Sequence, residues 1–170
     1  MTDYSGNRLA LFTAGDGPDH RGRTIHDILA MDDFWLEHTH DYIQWLFPIP
    51  EAGRFNSFAP LLDQETQACF AESVELRQQQ SQSLKRMLDF FGLVQKDTTI
   101  NAGPALNPQD HIWLKAGGHN HLRITRIIRS LQYCLQPELA AELQTTVMEL
   151  GQAKGYVPKA TLQYWRQATA

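Results

Sequence analysis

Two stretches hold most of the side chains able to do chemistry: Glu37-His38-Thr39-His40-Asp41-Tyr42-Ile43-Gln44 and His119-Asn120-His121-Leu122-Arg123-Ile124-Thr125-Arg126. In the first, His, Asp and Gln follow Glu37 at i+3, i+4 and i+7. A helix therefore gathers Glu37, His40, Asp41 and Gln44 on one side. Such a set can relay a proton, hold a metal ion or simply face water. A metal would need further ligands, which His119 and His121 could supply. In the second stretch, Arg123, Arg126 and Arg129 recur every three residues behind the histidines. Helix N-termini expose unbonded N–H groups and favour anions, so His119, His121, Arg123 and Arg126 are candidates to hold a phosphate or carboxylate. The same arginines have a structural reading. Enclosed guanidinium groups need partners, and Glu37 and Asp41 are available acids. His38, Asn120 and Arg129 are expected in that internal network, with Asn120 as a buried N-cap.

These residues fall on predicted helices. Thr24 to Met31 reads as a short helix capped by Thr24, and a second runs from about Asp33 to Phe47, stopped by Pro48 and Pro50. On the second, Phe34, Trp35, Leu36, Tyr42, Ile43, Trp45, Leu46 and Phe47 cover well over half the circumference, which predicts burial on most sides. Asp63 opens a long helical stretch to about Phe91, closed by Gly92. Residues 94–118 are the longest irregular segment. Asn120 to Leu135 is a strong helix with Ile124, Ile127, Ile128, Leu131 and Cys134 on its apolar face. Pro137 starts the next helix, striped by Leu139, Leu143, Val147 and Leu150, and Pro158 opens a last one. Leu9 to Phe12 is expected as an extended apolar patch after a frayed segment 1–8, and residues 14–22 as a turn. The expected architecture is all-α: an irregular single-domain bundle of about six helices over 9–170, with a long loop before the central helix.

A chain of 170 residues, 42% hydrophobic and 20% charged, has the makings of an ordinary globular core. Its net charge of −4 gives no basic surplus for a nucleic-acid backbone. Cys69 and Cys134 are expected as reduced thiols. No apolar run approaches the roughly 18 residues of a membrane span, and Met1 to Asn7 has no apolar signal core, so a cytoplasmic protein is expected.

Motifs assign no reaction. His119-Asn120-His121 is too short to mark a nuclease, and Gly15-Asp16-Gly17 is followed by no Gly-Lys-Ser/Thr. Ser57, Ser73, Ser81, Ser83 and Ser130 lie in no nucleophile elbow. No catalytic residue, metal or cofactor is assigned. The leading expectation is a binding module for a peptide, protein or small anionic ligand. The alternative is an enzyme with Glu37, His40 or Asp41 in an acid–base or metal site and Arg123 and Arg126 binding an anionic substrate.

The chain resembles the conserved region of the opioid growth factor receptor family. The resemblance is carried by Glu37 to Pro48 and by His119 to Ile127. Gly22-Arg23-Thr24, Phe55-Asn56, Ala59-Pro60-Leu61-Leu62, Arg86-Met87-Leu88 and Phe90-Phe91-Gly92 add to it. It extends over roughly residues 9–168 and suggests a compact bacterial-type member. It implies an all-helical domain and, from the animal members, reception of an opioid peptide growth factor. It carries no catalytic residues over to this chain.

Overall fold

The computed structural model describes residues 3–54 and 56–170. The chain forms two compact units, Met1–Ser83 and Leu84–Ala170. Among the described residues there are nine α-helices and one two-stranded sheet. The architecture is therefore mostly helical, and the expectation of a strictly all-α bundle of six helices is corrected.

In the first unit, α1 spans Arg8–Ala14. Asn7 caps it by accepting from the Ala10 N–H at 3.0 Å, and Gly15 closes it in the left-handed region with φ 88°. Leu9 to Phe12, expected to be extended, are thus helical; two turns are too short for periodicity to declare itself. Met1 and Thr2 lie outside the described residues. Tyr4, inside the segment expected to fray, is buried, and its hydroxyl meets Ser73 Oγ. α2 spans Ile25–Leu29 behind a capping box in which Thr24 and Asp27 exchange hydrogen bonds of 2.8 and 3.1 Å.

The helix expected over 33–47 divides into α3, Asp33–His38, and α4, Ile43–Leu46, with Thr39 extended between them. Side chains replace the backbone donors that would have continued the helix. The Tyr42 hydroxyl donates to Leu36 O at 2.6 Å, Gln44 Nε2 to His40 O at 3.2 Å and Arg23 Nη2 to Asp41 O at 3.0 Å. The break turns α3 outward. Phe34 and Trp35 are 60% and 57% exposed, so the expected burial holds for Leu36, Tyr42, Ile43, Trp45, Leu46 and Phe47 but not for these two. Likewise the stretch expected from Asp63 to Phe91 divides at Ser73 into α5, Gln64–Glu72, and α6, Val74–Phe90. Ser73 Oγ accepts from Leu76 N–H at 3.2 Å, the bond of an N-cap serine. The division between the two units falls inside α6.

In the second unit, β1 (Leu93–Lys96) pairs antiparallel with β2 (Thr99–Ala102). Asp97 takes the left-handed conformation, φ 56°, at the first position of the two-residue turn. This hairpin lies in the segment expected to be irregular. A 3-10 turn at Ile112–Leu114 precedes α7 (His119–Tyr133), α8 (Pro137–Ala153) and α9 (Lys159–Gln167). Ile124, Ile127, Ile128 and Leu131 of α7 are fully buried, as the stripe predicts. α8 holds the hairpin through Glu142, which accepts from Ile100 N–H at 3.0 Å, and Thr146, which donates to Ile100 O at 2.7 Å. No helix of the described residues is long and apolar enough to cross a membrane.

Candidate functional site

The turn between α1 and α2 is organised by one acid. Asp19, whose side chain is fully enclosed, accepts from the backbone N–H of Arg21 and Arg23 at 2.9 Å each and from Arg23 Nε at 2.7 Å. The Arg23 guanidinium, fixed at that edge, reaches Asp41 Oδ1 with Nη1 at 3.0 Å. Arg21 Nη1 and His20 Nε2 both meet Asp41 Oδ2 at 3.2 Å. His20 is itself held by stacking, 4.8 Å from the Phe58 ring and 6.0 Å from the Trp45 ring, nearly parallel to both. Trp45 in turn packs edge-on against Phe12 and carries the Arg8 guanidinium over its ring.

Asp41 is therefore a saturated anion. Burial acts to raise its pKa. The charge of Arg23 and the hydrogen bonds from Arg21 and Arg23 outweigh burial and hold the carboxyl below the usual carboxylate range. A carboxylate so held is a poor proton shuttle near neutral pH.

Above this cluster lies an open depression of about 530 Å³, lined by Arg21, Trp35, His38, Thr39, His40, Asp41, Asn56 and Phe58. The outward turn of α3 places Trp35 and His38 on its wall, and the extended Thr39 places His40 and Asp41 beside them. His38 is exposed and rests on the Phe34 ring at 4.5 Å. Of the first predicted set, the structure brings His40 and Asp41 into the depression; His38, expected in an internal network, is instead exposed beside them. Glu37 is half-buried on α3, and Gln44 is buried on α4.

The second predicted set belongs to α7. The helix begins one residue earlier than expected, with Gly118 at the N-cap position, and Asn120 lies inside the first turn. Asn120 Oδ1 there accepts from Arg123 Nη1 at 3.0 Å, and both residues are buried. His121 is also buried. Its Nε2 meets Trp113 O at 2.7 Å, its Nδ1 meets Thr161 Oγ1 at 3.3 Å, and its ring stands edge-on to Trp165. Both of its ring nitrogens are committed to internal packing. His119, Arg126 and Arg129 are half-buried, with Arg129 over the Tyr133 ring. Cys69 and Cys134 are free thiols. Among the described residues no three His, Cys, Asp or Glu side chains are arranged to hold a metal ion.

Residues 18–169 match the family described as the opioid growth factor receptor (OGFr) conserved region. The chain belongs to this family. Among its relatives, rat opioid growth factor receptor-like protein 1 is 42% identical over 97 residues, 56% of this chain and 21% of that protein. The mouse and human opioid growth factor receptors are 39% and 40% identical over 116 and 115 residues, 65% of this chain and 18% and 17% of theirs. The chain thus spans about a fifth of the length of these relatives. No solved structure matches it significantly.

Within the family region the two recognisable strings have different fates. The first contributes His38, Thr39, His40 and Asp41 to the depression. The second contributes Ile124 and Ile127 to the core and commits His121 to internal bonds. Residue-by-residue reading missed His20, Arg21, Asn56 and Phe58 as neighbours of Asp41. Arg23 and Asn56 stood in the resemblance, but no spacing rule links either of them to Asp41, which lies far beyond one helical turn in sequence. Phe55, also in the resemblance, lies outside the described residues.

Proposed function

We propose that this chain is a non-enzymatic binding domain, and that the depression beside α3 receives its ligand. The ligand classes are a peptide, a protein or a small anion. The mouse and human relatives are named opioid growth factor receptor, which makes a peptide the first candidate for this chain. The observation that carries the reading is the saturation of Asp41 by Arg21, Arg23 and His20. The acid at the centre of the cluster is consumed in building the site. Exposed aromatic and donor groups remain for contact rather than for proton transfer. A reducing, cytoplasmic setting fits the two free thiols.

The reading is tested by titrating opioid growth factor peptide into the 15N-labelled chain and following amide and indole resonances. Saturable shifts concentrated at Arg21, Trp35, His38 and Asn56, with the peptide recovered intact, are the expected result. Shifts elsewhere or none at all remove the reading, and chemically altered peptide favours an enzyme.

A further inference from the structure

The depression is unequal in what it leaves uncommitted. Its carboxylate, Asp41, has both oxygens engaged by Arg23, Arg21 and His20. Donors on its wall are unspent. Arg21 gives Asp41 only Nη1, and the Nε/Nη2 edge of the same guanidinium has no partner among the described residues, with the side chain 62% exposed. Neither ring nitrogen of His38 and no atom of the Asn56 amide is bonded among the described residues, nor is the Trp35 indole N–H. Asp19, the other acid of the cluster, is enclosed and taken up by Arg23 and two backbone N–H groups, so it does not face the ligand.

We propose that this depression captures the carboxy-terminal carboxylate of a peptide. The proposal rests on the binding-domain reading above and names the part of the ligand that is recognised. The free edge of Arg21 presents two parallel N–H donors, which match the two oxygens of one planar carboxylate. His38 and Asn56 supply further donors on the same wall. The exposed face of Trp35 and the Phe58 ring give the last side chain an apolar seat. The cluster of Asp19, Asp41, Arg21 and Arg23 is formally balanced in charge, so attraction comes from directed donors at short range. That favours a singly charged carboxylate over a phosphate dianion. The open shape suits the end of a chain more than its middle.

The test uses the full chain in isothermal titration with N-acetyl-Gly-Gly-Ala-Phe bearing a free carboxyl group, and with the same peptide amidated. The free acid is expected to bind, and the amide to bind about tenfold more weakly or worse, the cost of one charge-assisted bidentate contact. Arg21→Gln is expected to weaken the free acid to the level of the amide and erase the difference between them. The melting temperature of that variant should stay near wild type, since Asp41 keeps Arg23 and His20. Equal affinity for acid and amide overturns carboxylate recognition while leaving a binding domain in place. Absence of saturable binding by either peptide, together with silence in the opioid-peptide titration, removes both readings. Sodium acetate or inorganic phosphate competing at the same concentration as the peptide overturns the peptide terminus in favour of a simple anion.

Discussion

Replacing Asp41 by Asn tests the construction of the site without changing its shape. In the wild type, Oδ1 takes Arg23 at 3.0 Å and Oδ2 takes Arg21 and His20 at 3.2 Å. Asparagine keeps one acceptor oxygen and turns an NH2 group toward at least one of these donors. The Arg23–Asp41 pair is 16% and 19% exposed, so its charged hydrogen bond is worth about 1.5–3 kcal/mol. The Arg21 pair, with the arginine 62% exposed, adds at most about 1 kcal/mol after solvent screening. A total loss of roughly 2–4 kcal/mol follows, or a fall in melting temperature of about 5–15 °C for a chain of this size. The pH dependence has a definite sign. Because the folded carboxyl sits below its ordinary range, the unfolded chain takes up the proton first as pH falls. Asp41's share of stability is complete above about pH 4, the ordinary carboxylate value, and disappears as pH drops through the lower folded value. Urea unfolding followed by circular dichroism, from pH 7 down to pH 3, should show the gap between wild type and Asp41→Asn closing at the acid end. A loss below about 0.5 kcal/mol at pH 7, within the range of a weak surface pair, would refute the reasoning. So would a gap that stays constant with pH.

Two further substitutions probe the second unit. Gly155→Ala puts a Cβ within 2.4 Å of Leu114 O, a backbone atom with no rotamer to yield, and should cost about 2 kcal/mol or more in a thermal melt. Unchanged stability would mean that the chain does not pass so close to Leu114. His121→Ala removes the bonds to Trp113 O and Thr161 and the edge contact with Trp165, and should cost roughly 2–4 kcal/mol with no ligand present. Full stability in that variant would return His121 to the ligand candidates.

The sequence was most legible where one physical signal acted alone. The stripe of Ile124, Ile127, Ile128 and Leu131 identified the buried face of α7, and Thr24 and Asp63 announced helix starts that carry the expected cap bonds. It was least legible where side chains compete with the backbone. Tyr42, Gln44 and Arg23 take carbonyls that a continuous helix would have used, and no periodicity records that contest. The wheel drawn through Glu37, His40, Asp41 and Gln44 lost its meaning at Thr39 for that reason. The hairpin at Leu93–Ala102 escaped because each strand is only four residues long and its turn, Asp97-Thr98, lacks the Asn-Gly or Asp-Gly signature. The site itself was half visible. His40 and Asp41 were marked by residue type, whereas His38 was expected inside and Arg21 and Asn56 reach the depression only through tertiary structure.

The most direct measurement of the binding claim is the peptide dissociation constant of Trp35→Ala beside that of the wild type, with melting temperatures taken on the same samples. Trp35 is 57% exposed, so its truncation leaves the core intact while stripping an aromatic wall from the depression. The expected result is a dissociation constant raised about tenfold or more with a melting temperature within about 2 °C of wild type. An unchanged dissociation constant would place the ligand elsewhere and contradict the site proposed beside α3.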